Sequence, residues 1–400
     1  MSAGGGSGPV HTGDPFAPPV STTGAIQTVL PHPAQRRRPS VGTVAVIVVG
    51  IGVCAMAVIE VIAYLVGVLG VPGVVLNGLV ALVPLVAVLT VVRWVDRWEP
   101  EPFALRAFAF LWGAGVSIFT ALEVDETLNR YGHDFGISRS QFFSVTVQSP
   151  VVEEVAKGIG VLIVFIIAQR TFDGPVDGVV YAATIAAGFA FVENIQYFGL
   201  ALWNGGGEDL VYTFYVRGIL SPFAHLTFTS CTGIALGLAA RGPRRIGRTI
   251  GFFLAGLAAA ILLHAGFNLG SALNENGAFF FYLLIELPIF ALMAWFVLQA
   301  RRRDAQLTYQ ALTLYARAGW LTVAEVDMLG TSSGRRQARR WARAHGPRAR
   351  RAVRRFIGDA TKLAYTRQRI QSDHGRERAQ RDERQLLQAI TSDRYEVLRG

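Results

Sequence analysis

The chain has 400 residues, of which 52% are hydrophobic and 16% are charged, and its formal net charge is +10. Soluble domains carry about 25% charged residues, so this composition excludes an ordinary soluble enzyme and indicates several membrane spans. The positive charge is concentrated, because residues 301–400 hold 23 Lys and Arg against 10 Asp and Glu. Cys54 and Cys231, the two cysteines, both fall in apolar runs, which excludes a disulfide scaffold.

A polar N-terminus and a series of apolar runs come first in chain order. Residues 1–35 are rich in Gly, Pro and Ser, so we predict a disordered cytoplasmic segment. The pattern of residues 36–300 predicts an all-α, polytopic membrane helix bundle with about eight transmembrane helices. The predicted spans are 41–68, 74–92, 104–121, 148–169, 177–201, 212–240, 249–270 and 278–300.

The loops between these spans alternate in charge. Arginines fall on one side of the membrane at Arg36–Arg38, Arg93, Arg97, Arg170, Arg241–Arg248 and Arg301–Arg303. The intervening loops, such as "EVDETLNRYGHDFG", are acidic or neutral. Cytoplasmic loops carry an excess of Lys and Arg. We therefore predict a multi-pass cell-membrane protein with both termini in the cytoplasm.

Residues 301–400 are predicted to form a small, basic, helical cytoplasmic region. Thr322 and Glu325 have the spacing of a helix capping box. We expect the arginine-rich helices to lie near anionic lipid headgroups. Since the region has no nucleic-acid recognition motif, we expect no nucleic-acid partner.

Ionisable and amide side chains interrupt the apolar sequence of the fourth to seventh spans. They are Glu153, Glu154 and Lys157 in "EEVAK", Glu193 and Asn194 in "FAFVEN", His225 in "PFAHLTF", and His264 and Asn268 in "HAGFN". In each span the central acid or histidine lies about 24 Å from the cytoplasmic end, at about 1.5 Å per residue. Charged groups within a membrane usually face a protein interior or a water-filled cavity. We therefore expect one common site in the outer half of the membrane.

The spacing also predicts which groups share a helix face. Glu153 and Lys157 are four residues apart, as are His264 and Asn268, so each pair lies on one face. Glu154 lies about 100° around the helix from Glu153, so the two glutamates are expected to point in different directions. One would do chemistry, and the other would pair with Lys157 or anchor a neighbouring helix.

The residue types support two hydrolytic schemes. Two histidines and a carboxylate are the ligands of a catalytic zinc site, in which a further glutamate acts as general base. Without a metal, a buried glutamate would activate water while His and Asn side chains stabilise the oxyanion. The residue types leave both schemes open.

The four motifs, in this order along residues 41–300, resemble those of the PrsW family of intramembrane proteases. These proteases are generally classed as metalloproteases and are distantly related to prenyl-protein CAAX endopeptidases and bacteriocin-processing enzymes. The resemblance implies that Glu153 and Glu154 are catalytic and that His225 and His264 are metal ligands or oxyanion partners. From the residue types, we also predict that Asn268 assists catalysis and that Glu193 joins the two histidines in holding a divalent metal, with zinc expected. Lys157 and Asn194 would support them. The implied substrate is a single-pass, membrane-anchored regulatory protein, such as an anti-sigma factor, cut near its extracytoplasmic side.

Other interpretations remain open for the same residues. The acids and Lys157 could form a structural ion pair, and Glu193 with Asn194 could serve helix packing. We expect Asp177 to cap a helix and Arg217 to extend to the membrane interface. An ion- or proton-coupled transporter could use the same acids and histidines as a relay. Transporters usually show internal repeats, and none is apparent in this sequence.

Overall fold

The computed structural model describes residues 41–134, 140–168, 171–242, 245–272, 280, 282–371 and 376–399. These residues are helical and contain no strand, which confirms the all-α prediction. The segment 1–35, predicted to be disordered, lies outside the described residues. Contacts divide the chain into a membrane unit, residues 38–301, and a second unit that contains residues 302–400.

The membrane unit is built from nine helices among the described residues. They are α1 (Val41–Val95), α2 (Phe103–Leu111), α3 (Ile118–Asp134), α4 (Gln141–Phe143), α5 (Ser149–Ile167), α6 (Pro175–Phe214), α7 (Ala224–Ala240), α8 (Ile246–Ser271) and the first part of α9 (Leu287–Arg317). Short π-helical segments cover Trp112–Ser117, Ser144–Gln148, Tyr215–Leu220 and Tyr282–Glu286.

Five helical segments in the described part of the chain are long and apolar enough to cross a membrane. The first, Val49–Val95, has 47 residues and is interrupted at Gly70 (φ 68°). At about 1.5 Å per residue it exceeds twice the hydrocarbon thickness of about 30 Å, so it is long enough for two spans. Gly70 lies in the predicted boundary between spans one and two. The α5 helix has 19 residues but carries three charges, and it is not among the five.

The segment Pro175–Ala240 has 66 residues and is also interrupted. Gly206 has φ 76°, and Ser221–Phe223 separate the preceding π-helical segment from α7. The predicted span over 212–240 is therefore interrupted at Ser221–Phe223. A proline at 222, which lacks a backbone N–H, contributes to the second break.

The α6 helix is the centre of the membrane unit. Every residue from Pro175 to Phe189 is buried. Small residues allow this close packing, since a Cβ atom on Gly178 would lie 1.9 Å from the carbonyl oxygen of Gly233 on α7. Asp177 accepts the backbone N–H of Gly174 (3.0 Å) and Asp173 (2.7 Å), which confirms its predicted capping role.

A group of buried and half-buried polar residues lies where the loop after α1 meets α6; we call it the loop cluster (Asp96, Glu101, Arg106 and Tyr181). Asp96 accepts the Glu101 backbone N–H (2.9 Å) and pairs with Arg106 (2.8 Å). The Tyr181 hydroxyl donates to Glu101 Oε2 (2.7 Å). Burial, followed by the nearby charge of Asp177, raises the pKa of Glu101 from 4.5 to about 10. Glu101 is therefore protonated at neutral pH.

The second unit contains the end of α9 followed by α10 (Val323–Gly330), α11 (Ser332–Ala344), α12 (Gly346–Gln371) and α13 (Arg376–Arg399). The helical prediction for this region is confirmed. Thr322 Oγ1 accepts the Glu325 N–H (3.1 Å) and Glu325 Oε2 accepts the Thr322 N–H (2.7 Å), so the predicted capping box is present. Leu312, Phe356 and Leu363 are fully buried in its apolar core.

Candidate active site

The α5 helix brings three charged side chains into the centre of the membrane unit. Glu153, Glu154 and Lys157 are 6%, 0% and 0% exposed. Charged side chains at such depth must be paired to be tolerated. They meet polar residues of α6, of α7 and α8, and of the π-helical segment before α7. We call the set Glu153, Glu154, Lys157, Glu193, Arg217, His225 and His264 the histidine cluster.

Lys157 lies at the middle of this cluster. Its Nζ is 2.6 Å from Glu154 Oε1 and 3.4 Å from Glu153 Oε2. It also lies 3.3 Å from His225 Nδ1 and 4.2 Å from the centroid of the Phe189 ring. Because Lys157 follows the two glutamates by four and three residues, it lies between them on the helix surface. Both carboxylates therefore reach the same place, and the expectation that they point apart is wrong.

Glu154 is held by partners on three helices. Besides Lys157 on its own helix, it accepts the Thr229 hydroxyl of α7 (2.9 Å), and its Oε1 lies 3.1 Å from His264 Nδ1 of α8. Both oxygens of the carboxylate are thus engaged. The contact with Nδ1 fixes the imidazole so that Nε2 faces Glu153, and the Phe228 ring stacks on it with centroids 5.0 Å apart.

Glu153 has more room on one of its oxygens. Oε1 accepts the Ser149 hydroxyl at 2.5 Å. Oε2 faces Lys157 Nζ at 3.4 Å and His264 Nε2 at 3.9 Å, and the second of these distances is too long for a direct hydrogen bond. This oxygen therefore has capacity for a further ligand on the side that faces two nitrogen atoms.

Glu193 and Arg217 form the second half of the cluster. Glu193 Oε2 lies 2.9 Å from His225 Nε2 and is ion-paired with Arg217 Nη2. Arg217 Nε donates to Asn194 Oδ1 (2.8 Å), and its guanidinium lies 4.0 Å from the centroid of the Tyr197 ring. Arg217 does not extend to the membrane interface as expected, because the break at Gly206 is followed by a π-helical segment that brings it back beside α6.

These contacts decide how His225 is oriented. Its Nε2 edge faces Glu193, while its Nδ1 edge faces Lys157. The ring stands nearly perpendicular to that of His264, with centroids 5.0 Å apart and an interplanar angle of 87°. A carboxylate bound to one imidazole nitrogen fixes the tautomer and leaves the other nitrogen for a ligand or a proton. Glu193 therefore orients His225.

A possible metal-binding set differs from the predicted one. Within the described residues, Glu153, His225 and His264 offer donor atoms that all lie within 4.8 Å of one another. These are donor types of a catalytic zinc centre. Glu193, predicted as a ligand, is not in the set and contacts the outer edge of His225. The fit is incomplete, because the Lys157 ammonium contacts two of the three donors and would be repelled by a divalent cation there.

Asn268 lies on the same helix as His264 but is engaged outside the cluster. Its Nδ2 donates to the carbonyl oxygen of Val145 (2.8 Å). The contact ties α8 to the π-helical segment that precedes α5 and so supports the position of Glu153. Its predicted role as an oxyanion donor stays a prediction. Asn194, predicted as a supporting residue, holds Arg217.

Two residues of the site carried little signal in the sequence. Thr229 lies in an apolar run and anchors Glu154, and Ser149 lies at the start of α5 and binds Glu153. Hydroxyl side chains are common in membrane helices, where they bond their own backbone. Their role here depends on which helix faces them.

Comparison with known proteins agrees with the motifs. Curated relatives are each called Protease PrsW. The protein from Geobacillus kaustophilus is 31% identical over 156 residues, which cover 39% of this chain and 63% of the relative. The protein from Clostridioides difficile is 28% identical over 217 residues, covering 54% and 86%. The Bacillus subtilis protein is 24% identical over 220 residues, covering 55% and 91%.

The family model described as PrsW family intramembrane metalloprotease matches residues 101–293. Residues 101–293 are therefore similar to the PrsW family of intramembrane proteases. Every member of the histidine cluster lies within this matched segment, and so does Glu101 of the loop cluster. The similarity favours the protease interpretation over a transporter. No solved structure matches the chain.

Proposed function

We propose that this protein is an endopeptidase of the PrsW family in which Glu153 activates the attacking water and Glu154 positions His264. The observation that supports this division is the difference between the two carboxylates. Glu154 has partners on both oxygens and is fully buried, whereas Glu153 Oε2 faces Lys157 and His264 at 3.4 and 3.9 Å. A general base needs a free lone pair within reach of water.

The chemistry follows from the groups around Glu153. The Glu153 carboxylate takes a proton from water as the water oxygen attacks the peptide carbonyl carbon. The oxyanion of the tetrahedral intermediate forms beside the Lys157 ammonium and the His264 imidazole, which stabilise it in a site of low dielectric constant. Glu153 then gives the proton to the departing nitrogen as the carbon–nitrogen bond breaks, so one water is added across the bond.

A divalent metal, with zinc as the first choice, is the second scheme that the residues allow. Glu153, His225 and His264 would hold it, and Glu193 would support His225. When bound, such a metal supplies Lewis-acid activation of water and of the carbonyl. Lys157 would have to turn away from these donors, and this requirement favours the metal-free scheme.

The proposal also includes the substrate and the orientation of the protease in the membrane. We expect a single-pass, membrane-anchored regulatory protein, cut near its extracytoplasmic side, with both termini of the protease in the cytoplasm. Exposed arginines of the second unit support a contact with anionic lipids; they include Arg336, Arg340, Arg350 and Arg354.

The test uses purified protein in detergent and a fluorogenic library of single-span peptides with Ala, Leu or Phe at each position of the outer third. We expect Glu153→Gln to lower kcat by about 10²–10⁴-fold, the usual contribution of a general base, with an unchanged unfolding temperature. Glu154→Gln should lower both activity and unfolding temperature, because it loosens the contacts with α7 and α8. Cleavage by Glu153→Gln at the wild-type rate would contradict the assignment.

Chelation distinguishes the two schemes. Activity that survives prolonged chelator treatment, together with purified protein that lacks bound zinc, supports the Lys157 scheme. Loss of activity that returns on adding zinc would instead require the metal on Glu153, His225 and His264.

A further inference from the structure

An apolar cavity of about 360 Å³ lies directly beside the histidine cluster. Its walls come from the break before α7, from α7 and α8, and from the start of α9. Representative lining residues are Leu220, Phe223, Phe228, Leu263, Ile285 and Phe290. A volume of this size is within the range of about 300–1,000 Å³ that is usual for ligand pockets.

The cavity adjoins the candidate active site. Phe228 lines the cavity and also stacks on the His264 ring with centroids 5.0 Å apart. Ala224 and Leu263, two further lining residues, directly precede His225 and His264 in the chain. A ligand that fills the cavity therefore contacts Phe228, whose ring is stacked on the His264 imidazole.

The cavity is also open on its lateral side. From Leu287 to Phe296 no residue of α9 is buried, whereas Val297 and Ala300 are. Leu262 on the α8 wall is 72% exposed. In a membrane this side faces lipid, so a segment that is already in the bilayer can enter without crossing a polar surface.

We propose that this cavity binds the apolar side chains next to the scissile bond of the substrate's membrane segment. The proposal rests on the proposed proteolytic function and adds its substrate preference. An apolar cavity of about 150 Å³ holds a benzene ring, so this cavity of about 360 Å³ has room for about two large side chains. The occupant is therefore a short stretch of the substrate, and the apolar walls select large aliphatic or aromatic side chains.

The test makes the cavity smaller by enlarging a side chain on each of two walls, and it measures how the substrate preference changes. Ala224→Phe fills it from α7, and Ile289→Trp fills it from α9. Ala258→Phe is the matched control, because it adds the same ring to an exposed alanine of α8 that does not line the cavity. All three are compared on the single-span peptide library with Ala, Leu or Phe beside the bond that is cut.

We expect both cavity variants to lower kcat/KM about tenfold or more for Leu- and Phe-containing peptides and less than about threefold for Ala-containing ones. Ala258→Phe should keep the wild-type preference. A cavity variant that cleaves every peptide in the wild-type ratio would overturn the proposal. The proposal would also be overturned if kcat/KM fell equally for all peptides and phospholipid co-purified with wild type but not with the variants. That result would identify the cavity as a lipid site.

The outcome can be separated from that of the proposed function. If wild type cleaves and Glu153→Gln does not, the proteolytic assignment stands whatever the cavity variants do. Photo-crosslinking adds a binding readout that needs no turnover: in the Glu153→Gln background, a benzophenone beside the scissile position should label Leu263 or Phe290. Labelling confined to the Ala258 face would contradict the cavity as the binding site.

Discussion

Two buried acids of the membrane unit, Glu154 and Glu101, are accommodated in opposite ways. Glu154 lies 2.6 Å from the Lys157 ammonium and contacts Thr229 and His264. Glu101 receives one hydrogen bond from Tyr181, and among the described residues its Oε1 has no hydrogen-bond partner. Its raised pKa shows that a proton, not a cation, neutralises it. Only the first arrangement keeps charged groups available for catalysis, whereas the second joins a loop to α6.

The largest effect is expected from removing the cation of the histidine cluster. Lys157→Met would leave Glu153 and Glu154 buried without their positive partner. Breaking a buried ion pair on one side costs about 3–5 kcal/mol. We therefore expect a lower free energy of unfolding by that amount and no proteolytic activity, measured by denaturation in detergent and by the peptide assay.

The chain offers a matched control, because Lys362 is its other lysine. Lys362 is 57% exposed on its side chain and lies 3.6 Å from Asp359. Lys362→Met should change the free energy of unfolding by less than about 0.5 kcal/mol. Equal stability of the two variants would show that Lys157 does not compensate the two acids.

An intermediate effect is expected at Glu193, which acts through His225. Glu193→Gln keeps the shape of the side chain but weakens its hold on the imidazole. Loss of such an orienting carboxylate typically lowers activity by about 10–100-fold. We expect kcat to fall by this factor and the pH profile of kcat to shift. A purely structural role would lower stability and leave the pH profile of the remaining activity unchanged.

Arg217 provides a second test of the same half of the cluster. Arg217→Gln alone leaves the Glu193 charge without its ion pair, so it should lower kcat at least as much as Glu193→Gln does. The double variant removes both charges. Its fold-decrease in kcat should be smaller than the product of the two single fold-decreases, because the two residues are in contact. Multiplicative losses would mean that they act independently.

The smallest effect is expected at the loop cluster. Glu101→Gln replaces a protonated acid by a neutral amide of similar shape, so stability below pH 4.5, where both folded and unfolded wild type carry the proton, should change by less than about 1 kcal/mol. In the wild type, the folded state binds the Glu101 proton more tightly than the unfolded state does. Its stabilising contribution is therefore complete below pH 4.5 and is lost as the pH rises toward about 10.

The measurement is the difference between wild type and Glu101→Gln in free energy of unfolding across this pH window. The wild type should lose stability relative to the variant with a slope of at most about 1.4 kcal/mol per pH unit. Asp96, whose pKa burial raises to about 6, titrates in both proteins and largely cancels. A variant that is severely destabilised at neutral pH would show that Glu101 is charged in the folded protein.

Much of the site was predictable from the sequence, but its internal connections were not. The motifs on four successive spans predicted that Glu153, His225 and His264 meet, and their donor atoms do lie within 4.8 Å of one another. The partners of Glu193 and Asn268 were not predictable, since they depend on a break at Gly206 and on a π-helical segment beside Val145. Such irregular segments shift the helix register locally and have no strong composition signal.

By itself, the sequence determined the helical membrane fold and predicted an approximate depth for each ionisable group, because hydropathy and the rise per residue depend only on the order of residues along one helix. Only the tertiary structure decided that Lys157 pairs with both glutamates, that Glu193, itself paired with Arg217, orients His225, and that an apolar cavity opens beside His264. These features depend on the rotation and close approach of different helices. That geometry results from packing among residues far apart in the chain.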